Sequence, residues 1–119
     1  MGSPLTVPGV KRDGRFLWLP KRPLALEAVD FTGFEVWADS AAAMVGPVFR
    51  CAAAGSILRV GENAPADVTL IDASFDGTGM SAAMASAFQV LRGAALTVKG
   101  GRFDNAQRLH FKSWGDALV

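Results

Sequence analysis

The sequence predicts a mainly β fold built from repeated strand–turn–strand units. Three ten-residue segments show the repeat when they are placed in register: 24–33, 68–77 and 96–105. Each has aliphatic residues at its first and third positions, phenylalanine at its eighth, and a small polar pair at its end. A fourth segment, 5–14, shares the opening and a closing Asp-Gly, but it has Arg12 where the others have phenylalanine.

The spacing of these segments sets the size of the repeat. The units begin at residues 5, 24, 68 and 96, and the long middle gap equals two steps of 22 residues. We therefore expect a degenerate copy near residues 48–55. A step of roughly 20 to 30 residues that contains strands is the size of one coil of a parallel β-helix. The sequence predicts a short right-handed parallel β-helix of about five coils, with residues 1–119 as a single repeat domain.

Side-chain alternation within the strands explains the repeated positions. Successive residues of a strand point to opposite faces, so the aliphatic positions are expected to stack inside: Leu24, Leu26, Val68, Leu70, Leu96 and Val98. The outward positions between them hold threonine or alanine, which suits an exposed strand. The repeated phenylalanines are expected to stack just before a corner: Phe31, Phe75 and Phe103. The corner itself holds residues that tolerate positive φ: Gly33, Gly77 and Asn105.

Two segments have helical periodicity. Residues 80–91 place four apolar side chains on one helical face: Met80, Met84, Phe88 and Leu91. Residues 39–55 look partly helical, with a candidate N-cap at Asp39 or Ser40 and a glycine at position 55 where a helix could end. Segment 80–91 is therefore either a helical insertion in the β-helix or the helix of a different fold.

The alternative is an α/β fold. The second half then has strand 67–75, helix 80–92, strand 95–100 and helix 104–114, with "DGTGM" (76–80) opening the first helix. This order resembles the STAS domains of anti-sigma-factor antagonists, in which a serine at such a helix start is phosphorylated. The resemblance implies a regulatory domain switched by phosphorylation at Thr78, where the helix N-terminus favours negative charge.

The repeat itself resembles the parallel β-helices of pectate lyases, phage tailspikes and adhesins. The resemblance implies a structural or binding module, either a component of a phage tail or surface structure or a glycan-contacting domain. A small polysaccharide enzyme is disfavoured because the outward carboxylates do not converge. Asp30 and Arg102 share an outward column with Ser74, but they belong to non-adjacent coils. The sequence therefore favours a non-catalytic protein.

Candidate binding residues belong to two chemical classes. Exposed tryptophans form stacking platforms for sugars or protein partners, whereas buried ones would cap coil ends, and both interpretations stay open for Trp18, Trp37 and Trp114. The charged candidates lie near the predicted corners and on the outward column: Asp72, Asp76 and Arg102. Calcium binding by Asp72, Asp76 and Asp104 is a hypothesis that needs converging oxygens. The segments "GENAPAD" (61–67) and "GTG" (77–79) are expected to be exposed loops, where contacts are readily placed.

Composition limits the partners. A net charge of +1 gives no broad electrostatic reason to expect nucleic acid or a membrane surface. Five basic residues near the start are expected to form a solvated face: Lys11, Arg12, Arg15, Lys21 and Arg22. One cysteine and one histidine cannot build a structural zinc site. Apart from the calcium hypothesis, we expect no metal or cofactor. The chain shows neither a signal-peptide pattern nor an apolar run of about 20 residues, which predicts a cytoplasmic protein or part of an assembled particle.

The ends of the predicted coil bear on assembly. A short β-helix exposes unpaired strand edges at its ends, and these must be capped or stacked on another chain. The hydrophobic segment "WGDALV" (114–119) would cap one end. We expect self-association, as a trimer or end to end, or membership of a larger assembly.

Overall fold

The computed structural model describes residues 2–50, 57–77, 88–91, 93–104, 111–113 and 115–118. Within these residues the protein is mainly β, with one short 3₁₀ helix at Pro4–Thr6. The strands follow in chain order: β1 (Lys11–Asp13), β2 (Phe16–Trp18), β3 (Leu24–Glu27), β4 (Glu35–Ala38), β5 (Ala42–Val45), β6 (Val48–Arg50), β7 (Leu58–Val60), β8 (Asp67–Ile71), β9 (Ser74–Asp76), β10 (Phe88–Val90), β11 (Ala95–Lys99), β12 (Arg102–Asp104), β13 (Phe111–Ser113) and β14 (Asp116–Leu118).

The described strands form three sheets. The first sheet has the order β1-β2-β4-β7-β10-β13, the second β14-β11-β8-β5-β3, and the third β12-β9-β6. The chain passes through the first, second and third sheets in turn, and we call one such passage a circuit. The strands of each circuit lie beside those of the previous circuit. The pairings are parallel, except that β1 folds back antiparallel on β2.

The strand register confirms the alignment of segments 68–77 and 96–105. Leu96 pairs with Val68 in the second sheet, and Phe103 pairs with Phe75 in the third. The sequence alignment of the repeat places the same residues opposite each other. It matches the structure because two residues connect the second sheet to the third in both circuits.

The missing repeat copy lies earlier than predicted. Ala42 sits between Leu24 and Val68 in the second sheet, and Phe49 supplies the phenylalanine, beside Phe75. The copy therefore starts at residue 42, and the prediction near 48–55 is wrong. The prediction assumed two equal steps of 22 residues between Leu24 and Val68. The circuits differ in length, so the copy starts earlier.

The interior contains the predicted aliphatic rows. Five of the six predicted inward residues are buried: Leu24, Val68, Leu70, Leu96 and Val98. Leu26 is half-buried and packs against this core. The alternating pattern predicted for these strands is confirmed.

Phenylalanine rings fill the space beside the third sheet. Phe31 stacks on Phe49, with ring centroids 5.2 Å apart and planes 9° from parallel. Phe75 lies 6.0 Å from Phe103. Phe88, which comes from the first sheet, contacts both Phe49 (6.4 Å) and Phe75 (5.7 Å). The predicted aromatic stack is therefore present, with Phe49 and Phe88 as further members.

The N-terminal segment is not a repeat unit, so the prediction for 5–14 is wrong. Leu5 is 47% exposed on the 3₁₀ helix, and β1 pairs antiparallel with β2. Pro4 is buried, while Val7 and Val10 pack against the core. The backbone N–H of Gly2 donates to the Ala28 carbonyl at 2.8 Å. The segment therefore covers the first circuit.

The helical predictions are wrong wherever the structure describes them. Residues 42–45 and 48–50, inside the predicted helix 39–55, are β5 and β6. Residues 88–90 are β10, and residues 111–113 are β13. Within 39–50, the apolar residues belong to two strands that are separated by the corner at Gly46-Pro47. Residues 51–56, 80–87 and 105–110 lie outside the described residues. No helix within the described residues has the length and hydrophobicity needed to cross a membrane.

Left-handed residues turn the chain from the second sheet to the third. Ala28, Gly46, Asp72 and Gly100 occupy equivalent corners with φ between 50° and 63°. Of the predicted corner residues, Gly33 has a φ of 84° and is confirmed. In the circuit of Gly77, the residue with positive φ at this corner is Asp72, before β9. Asn105 lies outside the described residues.

Candidate functional site

Large side chains form a strip on the outer face of the first sheet. Leu17 and Val36 point inward and are fully buried, so their neighbours on β2 and β4 point outward. The register places Trp18 beside Trp37, and Trp37 beside Arg59. We call this surface the aromatic strip, and all of its side chains are half-buried: Phe16, Trp18, Trp37 and Arg59.

The rings of the aromatic strip hold one another in place. Trp18 and Trp37 meet edge to face, with centroids 5.7 Å apart and an interplanar angle of 65°. Phe16 lies 6.2 Å from Trp18 and 6.3 Å from Trp37. Such pairs contribute about 0.5–1.5 kcal/mol each beyond their buried area. The strip is therefore ordered before any ligand binds.

Polar contacts fix the orientation of Trp37. Its Nε1–H donates to the buried Glu35 carboxylate at 2.7 Å. The Arg59 guanidinium lies 4.9 Å from the Trp37 ring centroid and forms an ion pair with Glu62 at 2.9 Å. A cation over an aromatic face is attracted by the negative charge of that face. One face of Trp37 thus receives Arg59.

A cleft of about 510 Å³ opens beside Trp18. It lies at the corner between the first and second sheets, where the connections vary in length. Its lining combines an aromatic ring with two ammonium groups, a carboxylate and an amide: Trp18, Lys11, Lys21, Asp39 and Asn63. The cleft therefore offers stacking, hydrogen bonding and positive charge within one concave surface.

Asp39 and Asn63 join two circuits at the wall of this cleft. The Asp39 carboxylate is only 6% exposed. It accepts hydrogen bonds from the backbone N–H of Asn63 at 2.8 Å and from Asn63 Nδ2 at 2.9 Å. Next in sequence to the lining residues Gly9 and Lys21, Pro8 and Arg22 are joined by a hydrogen bond: Arg22 Nη2 donates to the Pro8 carbonyl at 2.8 Å. The cleft walls are thus held by hydrogen bonds.

The predicted site residues fall into two groups. Trp18 and Trp37 lie side by side on the first sheet, as described above. Asp72 occupies a corner after the second sheet, while Asp76 and Arg102 lie on the third sheet. Arg102 pairs with Asp104 at 2.6 Å on an exposed surface. The structure therefore does not bring the charged candidates to the tryptophans. Thr78 and Trp114 lie outside the described residues.

The calcium hypothesis lacks the required geometry. Among the described residues, no three His, Cys, Asp or Glu side chains cluster closely enough to hold a metal ion. Asp72, Asp76 and Asp104 are all described, and they do not form such a cluster.

A second concave surface, of about 570 Å³, lies along the same corner in later circuits. It is lined mostly by small residues and by two exposed carboxylates, Asp67 and Asp116. The corner therefore changes from aromatic and basic in the early circuits to small and acidic in the late ones.

Sequence reasoning missed Arg59, Asp39 and the two cleft lysines. Asp39 was interpreted as a helix cap, and Lys11 and Lys21 as solvated charge. One signal did point to the cleft: the segment 61–67 was predicted to be an exposed loop, and it contains Asn63.

No protein-family model, curated protein or solved structure matches the chain.

Proposed function

We propose that the three sheets form a short right-handed parallel β-helix that acts as a non-catalytic, glycan-contacting module. The single observation that carries the proposal is the Trp18–Trp37 pair, half-buried on an outer face and 5.7 Å apart beside a polar cleft. The successive circuits of parallel strands support the β-helix. The setting in a phage tail or another surface structure is a fold-level analogy.

The chemistry of a sugar ring fits this surface. One face of a pyranose consists largely of C–H groups, and its rim carries hydroxyls. Aromatic rings provide apolar contact area with little loss of conformational entropy. The Asn63 amide, Lys11 and Lys21 supply donors at the cleft rim for ring hydroxyls. An aromatic platform next to fixed polar groups therefore suits an oligosaccharide that crosses from the strip into the cleft.

The carboxylates near the strip have structural contacts, which supports binding without catalysis. Glu35 accepts from Trp37, Glu62 pairs with Arg59, and Asp39 accepts from Asn63. Glycoside hydrolysis requires two carboxyl groups facing the same bond, one as acid and one as base or nucleophile. The carboxylates described around the strip do not present such a pair.

Binding of a panel of soluble oligosaccharides, neutral and charged, tests the proposal. Titration calorimetry on the full chain should find at least one ligand, and Trp18→Ala and Trp37→Ala should each weaken it about tenfold or more, since buried aromatic anchors dominate binding energy. Thr97→Ala, on the outer face of the second sheet, is the matched control and should bind normally. Circular dichroism verifies the fold of each variant. Equal affinity in all three variants would exclude the strip as the binding surface.

A further inference from the structure

The outer face of the second sheet carries two regular rows of side chains. The register of β3, β5, β8 and β11 aligns one row of small residues: Ala25, Ala43, Thr69 and Thr97. Two residues further along each strand, the same pairings align a second row: Glu27, Val45, Ile71 and Lys99. We call this surface the flat face, because the first row has no large side chain on these four strands.

The flat face exposes apolar surface. Val45 is 41% exposed, and Leu118 on β14, which continues the small row beside Thr97, is 68% exposed. Together with Leu5, these are the exposed large hydrophobic residues found among the described positions. Val45 adjoins the half-buried Ile71 of β8, so the middle of the second row is apolar, whereas Leu118 lies three strands away from Val45 at the edge of the sheet. Exposed apolar surface on a sheet marks a candidate interaction site.

The charges of the second row are free to meet a partner. Glu27 and Lys99 are both exposed, and neither forms an ion pair with another described residue. They stand at opposite ends of the row, three strand spacings or about 14 Å apart. Between them lie Val45 and Ile71.

This row is complementary to itself. Read backwards, its order of acid, aliphatic, aliphatic, base becomes base, aliphatic, aliphatic, acid. A two-fold axis parallel to the strands, passing between β5 and β8, would therefore place Glu27 opposite Lys99 at both ends and Val45 opposite Ile71 in the middle. An interface of this kind uses the same patch on both subunits.

We propose that the flat face binds a second copy of this chain through that two-fold arrangement. The two rows cover roughly 300 Å² per copy on the spacings of a β-sheet, which places the dimer among small, transient interfaces. The proposal does not rest on glycan binding, because the aromatic strip lies on a different sheet.

Charge exchange tests the pairing. Glu27→Lys alone gives rows with lysine at both ends, and Lys99→Glu alone gives rows with glutamate at both ends, so each single variant repels its own copy. Sedimentation velocity across a concentration series should show each single variant dimerising roughly tenfold more weakly than wild type. An equimolar mixture of the two should form heterodimers at least as readily as wild type forms dimers.

The restored association in the mixture separates this geometry from others. A head-to-tail contact or a three-fold interface would not require Glu27 to meet Lys99, so mixing would restore nothing and the proposal would be overturned. A wild-type chain that stays monomeric up to millimolar concentration overturns it as well. Arg50→Glu, which changes an exposed charge on the third sheet, is the control and should dimerise like wild type.

Discussion

The outer faces of the first and second sheets differ sharply although their inner faces are alike. Both sheets turn aliphatic residues inward, as at Leu17 and Leu70. Outward, the first sheet carries Trp18, Trp37 and Arg59, whereas the equivalent row of the second sheet begins with Ala25 and Ala43. The stacked interior constrains every second residue, whereas the outward residues can differ from one sheet to the next. The difference between the two outer faces is therefore the informative feature for function.

The corners differ in the same way. Between the second and third sheets two residues connect each pair of strands, as at Gly46-Pro47 and Gly100-Gly101. Between the first and second sheets the connections vary, and residues 61–66 form the longest of them among the described circuits. A constant corner keeps the register of the repeat, while a variable corner creates the clefts. The cleft beside Trp18 accordingly lies at the variable corner.

The largest expected effect comes from the interior that both faces share. Phe49 is fully buried, stacks on Phe31 and contacts Phe88. We expect Phe49→Ala to lower the free energy of unfolding by about 3–5 kcal/mol, because a large cavity opens in a packed core. Denaturant unfolding measures the loss. Glycan binding and dimerisation should then fall together, in proportion to the folded fraction.

A surface substitution provides the comparison for that prediction. Val45→Ala removes an exposed side chain from the flat face, and its effect on stability should stay within about 0.5 kcal/mol. It should weaken dimerisation and leave glycan binding intact. If Phe49→Ala were as mild as Val45→Ala, the stacked interior would not be what stabilises the two faces.

Glycines at the two corners should respond differently to alanine. Gly101, at the constant corner, has a φ of 111°, and a Cβ there would lie 2.5 Å from the Ala73 carbonyl oxygen. Gly93, at the variable corner, has a φ of 83°, and a Cβ there would meet nothing within 4 Å. Gly93→Ala should cost only the left-handed strain, about 1–2 kcal/mol. Gly101→Ala should cost more, because backbone must also move.

Thermal and denaturant unfolding of these two variants measure the difference. Equal losses would mean that the constant corner adapts as readily as the variable one. Both glycines have a positive φ, but only Gly101 has backbone atoms close to an added Cβ. If Gly101→Ala is the less stable variant, close packing between consecutive circuits fixes the length of that corner more than backbone conformation does.

The same contrast explains what could be predicted from the sequence. The repeat that spans the constant corner revealed the pairings Leu96–Val68 and Phe103–Phe75, because neither insertion nor deletion disturbs it. Ala42 was missed because alanine at an inward position carries little hydrophobic signal. Asp39 and Asn63 come together from adjacent circuits across a corner of variable length, so no fixed spacing marks them.

The tryptophans were recognised for their chemistry, but their neighbours were not. Trp18 and Trp37 could either cap the end of the coil or form a stacking surface on a sheet. Strand direction and register decide between these two roles, and neither can be derived from residue type alone. The partnership of Trp37 with Arg59 likewise requires the parallel pairing of β4 with β7. The charged candidates on the third sheet were chosen by position in the repeat, and the structure places them away from the tryptophans.

The smallest expected effect concerns Asp30, which bridges to Val48 beside the third sheet and lies on neither of the two proposed binding faces. The pKa of Asp30 lies below its ordinary value of 3.8, mainly because the Thr32 hydroxyl donates a hydrogen bond to its carboxylate. The Thr32 backbone N–H and the charge of Arg50 also lower this pKa, whereas partial burial raises it. The folded chain therefore releases this proton more readily than the unfolded chain. The resulting stabilisation is present above pH 4 or so and is lost as the pH falls through the folded pKa.

Thr32→Ala should raise the pKa of Asp30 toward its ordinary value and lower stability at pH 7 by less than about 1 kcal/mol, because the contact is exposed to solvent. The gap between variant and wild type should close as the pH falls toward 2 in denaturant unfolding. Thr97→Ala, whose threonine lies on the flat face, is the control and should show a pH-independent difference. A gap for Thr32→Ala that persists unchanged in acid would mean that Thr32 acts through packing rather than through the Asp30 carboxylate.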